Sequence, residues 1–229
     1  MTDAALANED PLDAAGLSLR SGAAEVFLVR HADAIPDAAT RPAETQYDSQ
    51  HLSERGRTQA AAVAARFAGS TLAAVYASPV TRARETAEPV AREAGVRVRE
   101  DAALVEVRIG DFAAPDGVRE HLMTLAAIAL RTGTWSGIPG TEPTAGVRRR
   151  MLDALSTIAR AHGGRRVVVV SHAGAINATL AAILGTGRDF PFPLANASIS
   201  TVRINGERRL VMSANETTHL RGVPPRGAR

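Results

Sequence analysis

Two stretches of the chain run apolar without alternation and each delivers a histidine. Val26-Phe27-Leu28-Val29 leads into Arg30-His31-Ala32, and Val167-Val168-Val169-Val170 leads into Ser171-His172-Ala173-Gly174. A short unbroken apolar run suits a strand buried on both faces, as in a parallel sheet. Residues 73–77 read as a further strand and 96–99 as a short one. Between the strands the apolar spacing changes to that of helices. Ala60, Val63, Ala64, Phe67 and Ala68 form one stripe, with Ser53 as its N-cap. Val80, Ala83, Ala87, Val90 and Ala94 form the next, with Ser78-Pro79 as cap and first helical position. Val118, Leu122, Leu125 and Ala129 mark a third helix, and Val147, Met151, Leu155 and Ile158 a fourth. Residues 175–184 predict an apolar helix ended by Gly185. Residues 199–204 and 209–213 predict a hairpin joined through Asn205-Gly206, a strong turn signal.

Strands alternating with helices argue for an α/β domain. The expectation is one three-layer αβα sandwich around a mostly parallel central sheet, spanning residues 23–215. Residues 1–22 lack periodicity and are expected to be a disordered leader. Residues 216–229 are expected to be a loose tail. Residues 34–50 and 104–117 read as irregular, the first as a loop over the strand ends.

Composition narrows the function classes. No apolar run approaches the roughly 20 residues needed to span a bilayer, and the acidic, alanine-rich start lacks the form of a signal peptide. A cytoplasmic location without membrane contact is the expectation. Cysteine is absent, which excludes disulfides and thiolate chemistry. All 27 basic residues are arginine, yet the formal net charge is only +3. The resulting pI near 10.4 points toward nucleic acid. Against it, the arginines are interspersed with acids and aromatics make up only 3%, too few for base-stacking platforms. No nucleic-acid partner is expected.

Five residues fall at predicted strand ends or in the loops beside them: Arg30, His31, Arg82, Glu106 and His172. In open α/β sheets ligands gather at the carboxyl ends of the strands. A phosphomonoester carries close to two negative charges, and its uncatalysed hydrolysis is extremely slow. Catalysis requires charge neutralisation, an in-line nucleophile and a proton for the leaving oxygen. Arginine grips phosphate oxygens bidentately. A neutral imidazole can attack phosphorus, and a carboxylic acid can supply the proton. Such a site needs neither metal nor organic cofactor.

Six segments together resemble the histidine phosphatase superfamily, also called phosphoglycerate-mutase-like. Arg30-His31-Ala32 is similar to its Arg-His-Gly signature, and residues 52–60, with Gly56 and Gln59, to its first helix start. Residues 77–87 resemble the second arginine motif. Leu104-Val105-Glu106, with Gly110-Asp111-Phe112 after it, resembles the acid-donor segment. Ser171-His172-Ala173-Gly174 matches the second-histidine motif and Asn196-Ala197-Ser198-Ile199 the closing strand. The resemblance implies His31 as nucleophile, Arg30 and Arg82 as phosphate clamps, His172 as a further phosphate ligand and Glu106 as acid. It implies a metal-independent phosphomonoesterase that passes through a phosphohistidine, takes a small phosphorylated metabolite and releases inorganic phosphate.

Ala32 and Ala173 stand where the family usually has glycine. At positive φ an alanine costs of order 1 kcal/mol. That cost motivates a rival reading, a non-catalytic phosphate- or phosphoprotein-binding module. Asn177, Ala113-Ala114 and Thr141-Glu142-Pro143 also depart from the usual pattern and bear on substrate contacts. A phosphoglycerate mutase is the nearest enzymatic rival; the short span from Glu106 to His172, without a proline run, favours hydrolysis. The sequence leaves the oligomeric state open, a homodimer included.

Other residues read blandly. His51, His121, His162 and His219 are taken as surface or structural. Arg108 and the run Arg148-Arg149-Arg150 are read as solvated. Trp135 is read as packing, and residues 190–193 as a rigid turn.

Overall fold

The computed structural model describes residues 10–34, 50–108, 118–135, 138 and 140–224, with side chains of the helix at 118–132 described at 123 and 126–132. In chain order come α1 (Pro11–Ala14), β1 (Ala24–Arg30), α2 (Glu54–Arg66), β2 (Leu72–Ala77), α3 (Thr81–Glu93), β3 (Val98–Glu100), α4 (Val118–Thr132), α5 (Thr144–Ala161), β4 (Arg166–Ser171), α6 (Ala173–Leu184), β5 (Ile199–Asn205) and β6 (Arg208–Glu216). The six strands form one sheet ordered β3-β2-β4-β1-β5-β6. The first four are mutually parallel, and β5 and β6 close the sheet antiparallel. This is the three-layer α/β sandwich that the alternating pattern predicts.

The unbroken apolar runs face two cores. Val26, Leu28, Val167 and Val169 pack against Met151, Leu155 and Ile158 of α5 and Ile176 and Leu180 of α6. Val29, Val168 and Val170 point the other way, against Val63 of α2 and Ala83, Ala87 and Val90 of α3. Each fully buried valine contributes roughly 1.5–3 kcal/mol. α6 is buried along most of its length, from Gly174 to Ala181, which explains why its sequence is apolar on all sides.

Parallel register carries the strand ends to one level. Arg30 pairs with Ser171 and Ala77 with Val170. Beyond the ladder the His31 N–H donates to the Ser171 carbonyl at 2.9 Å, and the Ser78 N–H to the Val170 carbonyl at 2.9 Å. Residues 31, 78 and 172 therefore leave the sheet side by side.

The structure departs from the sequence reading in four places. Residues 10–22 of the expected leader are ordered: Asp10 caps α1, Leu17 and Ser18 are buried, and Arg203, Asn205 and Arg208 donate to the carbonyls of Leu17, Gly16 and Ala15. Polar composition hid this segment because arginine and asparagine side chains, rather than an apolar face, hold its backbone. The expected loose tail is fixed as far as residue 224. A 3-10 turn covers Thr218–Leu220, and the Pro224 carbonyl accepts from Arg55. α3 begins at Thr81 with Val80 at its N-cap and no side-chain cap, so Ser78 is released for another partner. The hairpin turns on Gly206-Glu207, while Asn205 pairs with Arg208. Residues 35–49 and 109–117, including the expected loop over the site and Gly110-Asp111-Phe112, lie outside the described residues, as do 1–9 and 225–229. No helix among the described residues is long and apolar enough to cross a membrane.

α2 starts directly against the chain leaving β1. Ser53 caps it by accepting from the Gly56 N–H at 3.0 Å, and its own N–H donates to the Asp33 carbonyl at 2.9 Å. A Cβ at Gly56 would lie 1.9 Å from that carbonyl oxygen. Gly56→Ala is therefore expected to destabilise the protein by about 3 kcal/mol, the upper end of ordinary overpacking. Urea unfolding checks this; a loss under about 0.5 kcal/mol, the ordinary size of a surface change, would contradict the contact.

Candidate active site

Each candidate side chain owes its position to an element end. Arg30 is the last residue of β1, and His31 follows it. His172 follows β4 and is the N-cap of α6. Arg82 lies in the first turn of α3, yet it is 1% exposed. Its neighbourhood is fixed by Thr86, whose hydroxyl donates to the Arg82 carbonyl at 2.7 Å and accepts from the Ala32 N–H at 3.0 Å.

The Arg82 guanidinium bridges two imidazoles. Its Nε donates to His31 Nε2 at 3.3 Å, and one terminal nitrogen faces His172 Nδ1 at 3.3 Å. The rings stand edge to face, with centroids 5.1 Å apart. Arginine has donors only, so both ring nitrogens that face it must accept. That fixes the tautomers. His31 carries its proton on Nδ1, which donates to the Ala32 carbonyl at 2.8 Å, and its Nε2 lone pair is left toward the site. His172 carries its proton on Nε2 and donates to the Ser78 hydroxyl at 2.9 Å.

Both rings are held neutral. Burial is the main cause that puts the His31 pKa well below the ordinary 6.5, followed by Arg82, His172 and Arg30, against a weaker upward pull from the Ala32 carbonyl. Burial, then Arg82, Arg30 and Arg150, does the same for His172. Arg30 is thus close enough to act on both imidazoles. Its NH1 donates to the Leu194 carbonyl at 2.6 Å. The turn carrying that carbonyl is itself clamped: Asn177 accepts from the Phe192 N–H, and Asn215 accepts from the Ala195 N–H. Two guanidinium charges beside two neutral imidazoles match the charge of a phosphate dianion.

Glu106 lies beside the N-terminus of α6. Its Oε1 accepts from the N–H groups of Val107 and Ala175, both at 2.9 Å, and its Oε2 from that of Gly174 at 3.2 Å. The carboxyl group thus sits on the first turn of α6, held by the N–H groups two and three residues past His172. A Cβ at Gly174 would come within 2.7 Å of Glu106 Oε1, so this glycine makes room for the carboxylate.

Ala32 and Ala173 do not strain the site. Among the described residues the non-glycine positions with positive φ are Ala197 and Asn215. The distortion that motivated a non-catalytic binding module is therefore absent. Ala197, at φ 60, instead bends the chain so that its N–H reaches the Arg30 carbonyl at 3.0 Å. Asn196 holds the His31 carbonyl from the same turn at 3.0 Å.

Several residues escaped the sequence reading. Ser78 looks like a helix cap but orients His172. Arg148 and Arg150 are not solvated. Arg148 reaches the buried Asp189, and Arg150 pairs with Glu142 at 2.9 Å. The helical phase of α5 carries this signal, since residue 150 lies three after Val147 and four before Ala154, both buried. Trp135 is 2% exposed and packs edge-on to Phe190, as expected. His162 is buried against Tyr76, and His51 pairs with Glu85 at the surface; the side chain of His121 lies outside the described residues.

Comparison with known proteins bears on this arrangement. The family model of the histidine phosphatase superfamily (branch 1) matches residues 26–217. The chain is 30% identical over 212 residues to a metal-independent phosphoserine phosphatase of Arabidopsis thaliana, covering 90% of this chain and 87% of that one. It is 33% identical over 187 residues to the Erwinia tasmaniensis protein named probable phosphoglycerate mutase GpmB, covering 78% and 84%. The solved structure of a mycobacterial glucosyl-3-phosphoglycerate phosphatase superposes with a TM-score of 0.68 at 25% identity, covering 84% of this chain and 98% of that one.

Holding both imidazoles neutral has a consequence for stability. The unfolded chain binds protons on these histidines below pH 6.5, whereas the folded one does not until its lowered pKa values are reached. The stability contribution is complete above 6.5 and is lost as pH falls through that window. Each histidine adds roughly 1.4 kcal/mol per pH unit to the slope there. Urea unfolding at a series of pH values should show a slope for His172→Gln smaller than wild type by about one proton. Equal slopes would contradict the buried neutral state.

Proposed function

The chain belongs to the histidine phosphatase superfamily, branch 1, and we propose that it is a metal-independent phosphomonoesterase acting through a covalent phosphohistidine on small phosphorylated metabolites. The observation that carries this reading is the bridge from Arg82 to His31 Nε2 and His172 Nδ1, which leaves an unprotonated ring nitrogen beside paired positive charges.

The substrate's phosphoryl oxygens take the place of the imidazoles as acceptors for Arg82, and Arg30 supplies the second guanidinium. Two positive charges then neutralise the dianion, and the electrostatic contribution strengthens in a buried site. His31 Nε2 attacks phosphorus in line as the ester P–O bond breaks. The bonding pair goes to the leaving oxygen, which takes a proton from Glu106. Nδ1–H, held by the Ala32 carbonyl, stabilises the positive charge that attack places on the ring. In the second half, water attacks phosphorus and the P–N bond breaks. Glu106, now a carboxylate, accepts the proton from that water, and inorganic phosphate leaves. Once Arg82 turns to the phosphoryl oxygens, the Nδ1–H tautomer of His172 donates to one of them while its Nε2 accepts from the Ser78 hydroxyl.

Hydrolysis rather than mutase chemistry is supported by the short stretch between Glu106 and His172 and by the phosphoserine phosphatase of Arabidopsis thaliana at 30% identity. The relative named for mutase activity is of similar likeness, so the comparison is worth making directly. Supplied with 3-phosphoglycerate and its bisphosphate primer, the protein is expected to release free phosphate; rapid isomerisation with little free phosphate would mark a mutase.

The covalent step has its own test. Incubation with a phosphate-labelled substrate followed by a rapid quench should give an acid-labile, base-stable phosphoprotein. His31→Ala should abolish the label and lower kcat by at least about 10³-fold, in line with losing a nucleophile. A label that persists in His31→Ala would overturn the assignment.

A further inference from the structure

Glu106 belongs to neither a helix nor a strand, so no regular ladder holds its backbone, and the structure shows what does. Arg150, on the second turn of α5, uses all five of its N–H donors. Its NH1 donates to the carbonyls of Ala103 at 2.7 Å and Val105 at 2.8 Å, and its NH2 to the carbonyl of Glu106 at 3.0 Å. The remaining two bonds go to the Glu142 carboxylate, from Nε at 2.9 Å and NH2 at 3.0 Å. Five is the full donor capacity of a guanidinium.

The neighbouring carbonyls are also taken. Leu104 accepts from the Ser171 hydroxyl at 2.8 Å, and Arg108 from the Glu142 N–H at 2.7 Å. Glu142 Oε2 in turn accepts from the Arg108 N–H at 3.3 Å. The segment that ends in Glu106 is thus tied to α5 through one guanidinium, and Glu142, just before that helix, binds both the guanidinium and the Arg108 N–H. The segment is tied to the end of β4 through the residue just before His172.

We propose that Arg150, aligned by Glu142, is the positioning residue for the general acid: it sets the reach of Glu106 to the leaving oxygen and touches no substrate itself. This rests on the reading of Glu106 as acid given above. The chemistry explains why arginine stands here. A lysine has three donors on a single nitrogen and cannot grip three carbonyls and both oxygens of a carboxylate from one plane. Placement matters because a misplacement of about 1 Å can cost on the order of 10²-fold in rate.

Leaving-group dependence separates positioning from mere support of the fold. kcat/KM covers the steps up to loss of the leaving group, so breakdown of the phosphoenzyme does not enter it. An alkyl oxygen needs the proton from Glu106, whereas p-nitrophenolate leaves without it. Wild type, Arg150→Lys, Glu142→Gln and Glu106→Gln would be compared on p-nitrophenyl phosphate and on whichever alkyl phosphomonoester the wild type turns over fastest. Glu106→Gln is expected to lose roughly 10²-fold or more on the alkyl ester, as for a missing general acid, with little loss on the aryl ester. Arg150→Lys should lose at least about tenfold on the alkyl ester and less than about threefold on the aryl ester, and Glu142→Gln should move the ratio the same way by less. Glu142→Gln keeps an acceptor for Arg150 and reads the same ratio if Arg150→Lys fails to fold. Parallel losses on both esters, or none, would make Arg150 a structural residue only and overturn the proposal. An unchanged ratio in Glu106→Gln would instead remove Glu106 as acid, and the positioning role with it.

Discussion

The site turns on one guanidinium lodged between two imidazoles. Arg82 is almost fully buried, and its donors face a nitrogen of each histidine. Because arginine cannot accept, its presence dictates which ring nitrogens are bare. Because it is positive, it adds to burial, the larger cause, in keeping both rings uncharged. One side chain thereby fixes the tautomers of two others and leaves the His31 Nε2 lone pair, which accepts from it, free of a proton. A cation in a buried site is expensive to place, so the surrounding structure has to hold it rigidly. Thr86, the first turn of α3 and the end of β2 do so.

That rigidity begins in the sheet. β1, β4 and β2 are neighbours in parallel register, so three chain ends far apart in sequence emerge at one level. The backbone contacts His31 to Ser171 and Ser78 to Val170 continue these rungs, and the side-chain bond from His172 to Ser78 spans the same strand ends. The antiparallel partner β5 adds the turn at Ala197, which holds the backbone of Arg30 and His31 from the opposite side. A one-residue slip of β1 against β4 would move every β1 side chain to the opposite face and carry Arg30 and His31 off the level of His172.

Much of this was legible in sequence. Unbroken apolar runs at Val26–Val29 and Val167–Val170 mark doubly buried strands, and the second residue after each run is one of the paired histidines. What could not be read were side chains whose partners come from remote backbone. Helical phase turns Arg150 inward, but nothing local shows the carbonyls of residues 103, 105 and 106 waiting across the gap. Ser78 before a proline fits a cap by local rules, and only the third dimension offers His172 as the better partner. The ordered residues 10–22 were missed for the same reason, because asparagine and arginine side chains on β5 and β6 hold their carbonyls. Ala32 and Ala173 show the converse. A departure from a family pattern looked strained, and the backbone at both positions proves ordinary.

The central claim is that burial and Arg82 hold His31 as a neutral imidazole, with Arg82 fixing its proton on Nδ1 and leaving Nε2 bare. Nitrogen-15 NMR of the histidine-labelled protein near neutral pH tests this most directly, with His31→Ala used to assign the signals. The account predicts a neutral His31 in the Nδ1–H form and a neutral His172 in the Nε2–H form. An imidazolium at His31, or a proton found on its Nε2, would contradict it.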